Sequence, residues 1–127
     1  MGIDPSVWGN HYWNVLLYSA ANATDVRKRH GFKALVMTLA QQLPCEECQR
    51  HFNAMINTRG YMVDEFMINN EQLLFLVWKW KSAVNKRLNK PNLPWQTVRD
   101  TYLSVVEDAN ADGSCSACGG GKQSYQY

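Results

Sequence analysis

Several features are scarce in this sequence, and each scarcity removes a class of answer. In 127 residues no apolar run approaches the roughly 20 residues needed to span a bilayer, so no membrane partner is expected. An excess of one charge is also missing. The 13 Lys and Arg nearly balance the 11 Asp and Glu, and the net charge of +2 is spread along the chain, which argues against nucleic acid as a main partner. The opening stretch MGIDPSVWGN has neither a basic segment followed by an apolar run nor an Arg-rich amphipathic pattern, so the chain reads as cytosolic. No segment sustains the apolar and polar alternation of a strand. His11, His30 and His51 show no spacing that suggests a metal site. The length suits one domain with its own core rather than two.

What is present is aromatic and helical. Five Trp and six Tyr are generous for this length, and such rings either fill a core or wall a planar ligand. Residues 8–21 are dense in large apolar side chains and read as a buried helix. Phe32, Leu35, Val36, Leu39, Ala40 and Leu43 fall on one face at helical spacing, and Pro44 ends that helix because its ring cannot continue the hydrogen-bond ladder. Residues 45–56 predict a third helix and residues 57–69 a loop whose Tyr61, Met62, Phe66 and Met67 pack down. Asn70 and Glu71 mark the start of a long helix with Leu73, Leu74, Val77, Val84 and Leu88 inward, ending before Pro91. Pro94 opens a last helix with Trp95, Val98, Tyr102, Val105 and Val106 on one stripe. The pattern predicts an all-α fold, a four-helix bundle with a short fifth helix over residues 1–108, followed by a flexible tail, 109–127, rich in Gly and Ser.

The chemistry lies in four cysteines arranged as two Cys-x-x-Cys pairs, Cys45/Cys48 and Cys115/Cys118. A thiol acts as a nucleophile only as thiolate, and unpaired N–H groups at a helix start favour that form. Pro44 places Cys45 in such a first turn, and Cys48, three residues on, shares its face. The two sulfurs can therefore close and reopen a small disulfide with little backbone motion. In this reading Cys45 exchanges with an outside dithiol and Cys48 faces whatever removes the electrons. Glu46 and Glu47 oppose thiolate formation while favouring the helix start. An all-cysteine zinc site in a helical interaction module stays open as an alternative, although the pairs lie far wider apart than the about 15 to 20 residues of compact zinc ribbons.

Three elements in order carry a family resemblance: Trp8-Gly9-x-x-Tyr12-Trp13 near the start, Pro44-Cys45-Glu46-Glu47-Cys48 with His51-Phe52 after it, and Val84-Asn85-Lys86-Arg87-Leu88-Asn89-Lys90-Pro91. Over residues 4–106 the chain resembles the Erv/ALR-type FAD-linked sulfhydryl oxidases, especially the short versions encoded by large DNA viruses. The resemblance implies a helical bundle that binds FAD and forms a homodimer. It also implies thiol-containing protein substrates, oxygen as electron acceptor with hydrogen peroxide as product, and a place in the cytoplasm of an infected host cell or in the virion. Carried over residue by residue, it makes Cys45 the substrate-exchanging cysteine and Cys48 the one beside the flavin. Gly9, Tyr12 and Trp13, with Trp8 next to them, would border the cofactor. Trp78 falls in register on the later helix, Asn85 would meet the nucleotide half, and Lys90, with Arg87, would lie near the phosphates.

The chain departs from that pattern at three cofactor positions. Leu17 stands where the family usually has a His, and Lys81 and Ser82 stand where it has His and Asn, so a family member with impaired flavin chemistry is a further alternative. Tyr18 is a candidate to supply the polar group that Leu17 lacks. Trp95 takes the place of the first cysteine of a structural disulfide. By the same resemblance Cys115 and Cys118 would be a shuttle pair on the tail, relaying electrons to Cys45; a tether raises their effective concentration there. Cysteines incidental to a flexible tail are the plainer reading.

Overall fold

The computed structural model describes residues 2–112. They form five α-helices, α1 (Pro5–Ala21), α2 (Val26–Gln42), α3 (Glu46–Ile56), α4 (Asn70–Arg87) and α5 (Trp95–Asp112), with a 3-10 turn at Val63–Phe66 between α3 and α4. The described residues form no strand, and their β-type pairing is an isolated antiparallel bridge, Gly2 with Cys45. No described helix is long and apolar enough to cross a membrane. The all-α architecture agrees with the sequence reading.

Side chains next to the helix starts explain where those starts fall. Asp4 accepts the Ser6 N–H at 2.9 Å, Asp25 the Lys28 N–H at 2.8 Å and Asn69 the Gln72 N–H at 2.8 Å, each satisfying a donor that the first turn leaves orphaned. α4 starts at Asn70, as the sequence leads one to expect, and Asn69 is its cap. The Asn70 side-chain amide instead donates to the Ala21 carbonyl at 2.8 Å, tying the start of α4 to the end of α1.

α1 and α4 form the central pair, with α5 against both and α2 and α3 closing the other side. Leu16, Leu17, Ala20 and Ala21 of α1 meet Leu73, Leu74, Leu76, Val77 and Trp80 of α4, joined by Phe32, Val36 and Ala40 of α2. Each large apolar side chain removed from water contributes roughly 1.5 to 3 kcal/mol before the opposing entropy is subtracted. Phe52 of α3 meets Trp80 edge to face at 5.4 Å. The loop before α4 is pinned rather than merely draped: Trp80 Nε1 donates to the Tyr61 carbonyl at 2.9 Å, and Lys79 Nζ to the Gly60 carbonyl at 2.7 Å. Gly60 has φ of +89°, a conformation that favours glycine.

Two sequence expectations change here. Val84 is only half-buried and Leu88 is exposed, because the last turn of α4 borders a cavity instead of the core. α5 runs past its apolar stripe, which ends at Val106, to Asp112.

Where the family resemblance puts a disulfide cysteine, Trp95 joins an aromatic cluster. Its ring lies 5.1 Å from Phe75, edge to face, and 6.0 Å from Trp78, while Phe66 meets Phe75 at a tilt, 6.3 Å away. Trp78 Nε1 closes the cluster onto the loop by donating to the Leu93 carbonyl at 2.8 Å. Rings thus fix the α4–α5 corner without a covalent staple. Trp95→Ala is expected to remove about 2 to 3 kcal/mol of stability, read as a lower urea midpoint at unchanged slope. A loss under about 0.5 kcal/mol would show that the cluster does not hold this corner.

Candidate active site

Pro44 breaks the chain between α2 and α3, so Cys45 enters α3 from extended backbone, with φ of −158° and ψ of 117°. In that pose its sulfur accepts the Cys48 N–H at 3.3 Å and caps the helix. Hydrogen bonds from the Cys48 side chain and backbone push the Cys45 thiol pKa down. Burial pushes Cys48 the other way, to about 11, helped by the hydrogen bond it gives Cys45; Arg87 opposes the rise. The reduced pair is therefore polarised, with Cys45 the more acidic thiol and Cys48 the one that holds its proton. Both cysteines are free in this structure, and both are partly exposed.

The pair opens onto a cavity of about 800 Å³ between α1, α2, α3 and the end of α4. Trp8, Tyr12 and Trp13 form one wall, Phe52 and His51 another, and Leu39 and Leu43 an apolar floor. Trp8 and Tyr12 pack at 5.2 Å, and Trp8 Nε1 donates to the Ile3 carbonyl at 2.9 Å, which sets the ring. A cationic end gathers Lys81 and Lys90 beside Asn85, with Arg87 in the lining close enough to Cys48 to lower its pKa; Glu47 is the acid in the lining, and it lies 3.6 Å from His51. Flat rings with apolar faces at one end and an anionic group at the other fit this set of side chains.

How the cationic end is built explains two residues that lie outside it. Asn89 takes a left-handed φ of 59°, reversing the chain after α4 so that Lys90 N–H reaches the Asn85 carbonyl at 2.8 Å. Asn85 Nδ2 donates to Asn92 Oδ1 at 2.9 Å, and Asn92 Nδ2 donates to Ser82 Oγ at 2.7 Å. Ser82 thus steadies the Asn85 side chain through Asn92. Trp78 steadies the same loop through Leu93.

Of the sequence candidates, Gly9, Tyr12, Trp13, Cys45, Cys48, Lys81, Asn85, Arg87 and Lys90 all line the cavity. Leu17, Trp78 and Ser82 do not. Leu17 is wholly buried, one turn deeper in the α1 core than Trp13, and Trp78 and Ser82 face a separate groove on the outer side of α4. Tyr18 packs on Tyr102 at 5.0 Å, so it does not bring to the cavity the polar group that Leu17 lacks. Cys115 and Cys118 lie outside the described residues. Among the described residues no three His, Cys, Asp or Glu side chains gather as metal ligands. Sequence reasoning missed Asn92 and the cavity position of His51. Asn92 sits between two prolines in a loop with no periodicity to reveal it, and nothing in the spacing of His51 separates it from an ordinary surface residue.

Lys81 is buried in the α4 wall, and desolvation followed by repulsion from Lys90 pulls its pKa down to about 8. The folded chain then gives up this proton before the unfolded chain does, so between pH 8 and the unfolded value of 10.5 stability rises with pH. Lys81→Met is expected to stabilise the ligand-free protein at pH 7 by about 1 to 3 kcal/mol. That advantage should shrink from pH 8 to 10.5 in paired urea melts. An advantage independent of pH would show that no buried ammonium is being relieved.

Residues 10–103 match the Erv1/Alr family. Over 105 residues the chain is 33% identical to a protein of Invertebrate iridescent virus 3 described as a putative FAD-linked sulfhydryl oxidase, covering 80% of this chain and 70% of that one. Over 112 residues it is 24% and 23% identical to FAD-linked sulfhydryl oxidases from two isolates of African swine fever virus, covering 83% of this chain and 91% of each of those. No solved structure matches the chain. The family match takes in most of α1 and all of α2, α3 and α4, the helices that border the cavity, and this chain belongs to the Erv1/Alr family.

Proposed function

We propose that this protein is an FAD-dependent sulfhydryl oxidase that makes disulfide bonds in protein substrates through Cys45 and Cys48 and passes the electrons to oxygen, giving hydrogen peroxide. The observation that carries the reading is the polarised cysteine pair opening onto an aromatic cavity with a cationic end. The viral relatives named above support the cofactor and the activity.

In the oxidised enzyme a substrate thiolate attacks Cys45 Sγ, the Cys45–Cys48 bond breaks, and Cys48 leaves and takes a proton. A second substrate thiolate then attacks the substrate sulfur of the mixed disulfide, and Cys45 leaves as thiolate. The capping N–H and the Cys48 thiol that stabilise Cys45 as thiolate make it the better leaving group. The substrate has lost two electrons and two protons; the pair has gained the electrons. Bound FAD supplies the route from this pair to oxygen. Trp8, Tyr12 and Trp13 would hold its ring system beside Cys48, while Lys81, Asn85, Arg87 and Lys90 would hold the charged half.

The active unit in this reading is residues 1–108, working as a homodimer, with 109–127 carrying Cys115 and Cys118 as the relay from protein substrates. Its place in this reading is the cytoplasm of an infected cell or the virion.

Three replacements test the assignment, with oxygen uptake, peroxide and new disulfide measured together. Cys48→Ser should abolish turnover and keep bound FAD. Cys45→Ser should also lose dithiol oxidation; a variant as fast as the parent would contradict the mechanism. In the parent, peroxide and disulfide should appear in equal amounts. Replacing Cys115 and Cys118 with Ser should slow a protein substrate far more than a small dithiol, and equal effects on both would remove the relay.

A further inference from the structure

The segment before α1 is docked on the redox pair. Gly2 bridges Cys45 in antiparallel register, and the Ile3 N–H donates to the Pro44 carbonyl at 2.7 Å. This approach leaves no space for a side chain at residue 2. A Cβ placed there would stand 2.5 Å from the Pro44 carbonyl oxygen and 2.7 Å from Cys45 Cα, both backbone atoms that cannot swing aside. The segment is held from its other flank as well, since the Ile3 carbonyl accepts Trp8 Nε1 at 2.9 Å and Asp4 caps α1.

Cys45 has need of such a hold. Sulfur is a weak acceptor, and the residues that cap helices well do so with oxygen. A cap bond of 3.3 Å to sulfur is a poor anchor for the extended backbone that Cys45 adopts. Besides that bond, its backbone is restrained on the helix side by its carbonyl accepting the Gln49 N–H at 3.0 Å, and on the other side by its N–H donating to the Leu43 carbonyl at 2.8 Å and by the bridge to Gly2.

We propose that Gly2 is a positioning residue for the reaction: its bare backbone lets the segment 2–3 pair with Pro44 and Cys45 and hold Cys45 in the extended pose in which its sulfur receives the Cys48 N–H. The catalytic consequence rests on the reading of Cys45 as the substrate-exchanging thiol, and the geometric claim does not. With the segment in place the Cys45 thiol keeps its cap bond and its lowered pKa, which favours attack and departure; with the segment lifted, it relaxes toward an ordinary thiol.

The test is the pH profile of iodoacetamide alkylation of the reduced protein, with Cys45 and Cys48 resolved by mass spectrometry. Gly2→Val should slow labelling of Cys45 at neutral pH about 3- to 10-fold and move its midpoint upward, with Cys48 unchanged. Gly2→Ala, and Trp8→Phe, which keeps a ring but loses the indole N–H, should move the midpoint the same way by less. Val26→Ala, at an exposed position of α2, should match the parent. If Gly2→Val fails to fold by circular dichroism, the two milder variants decide the matter. Profiles that superimpose on the parent's in every folded variant would overturn the proposal. Alkylation requires neither FAD nor oxygen, so shifted profiles in a protein without oxidase activity would keep the positioning role and sink the oxidase reading. An active oxidase with unshifted profiles would do the reverse.

Discussion

Cys45 closes the start of α3 with a sulfur atom, and the chemistry of the site follows from that one contact. An oxygen cap would satisfy the helix better, but it could not exchange disulfides. By taking the Cys48 N–H, the cap sulfur gains the partial positive charge of a helix start, and Cys48, one turn further in, loses solvent and keeps its proton. Two identical side chains three residues apart thereby become unlike. One becomes the more acidic thiol and the other the less acidic, and both border the cavity. Pro44 makes this possible, because a helix running through position 45 would leave that sulfur no orphan N–H to accept.

α4 shows how the fold carries both a core and a ligand wall on one helix. Its first half buries Leu73, Leu74, Leu76, Val77 and Trp80. Its second half buries Lys81 and Asn85, the buried polar and charged residues among the described chain, and both line the cavity. A lysine removed from water beside another lysine costs stability, so this stretch of α4 serves the cavity lining at some expense to the fold. The chain departs from the usual family residue at this place, and it departs toward more positive charge.

What the sequence made legible was whatever acts at a local period or carries its own chemistry. The stripe from Phe32 to Leu43 has a helical repeat, and those residues pack inward as expected, with Leu39 and Leu43 reaching the cavity. The cysteine pair and Pro44 could be read directly. The same apolar repeat misassigned Val84 and Leu88 to the core, because periodicity identifies an apolar face without saying whether protein or ligand covers it. Leu17 sits at a position where the family has a polar residue, yet its side chain is turned fully into the core. Gly2 and Asn92 could not be found at all: each acts through contacts with residues distant in sequence, and neither has a pattern of its own.

In the proposed reading the polarised pair and a flavin in the adjoining cavity form one redox unit. The visible spectrum of the purified protein, recorded without oxygen as a dithiol is added and then after air is admitted, tests it most directly. The account predicts the two bands of oxidised flavin, their bleaching by dithiol and their return in air. A colourless protein that takes up no added FAD, or a bound flavin that dithiol leaves oxidised, would contradict it.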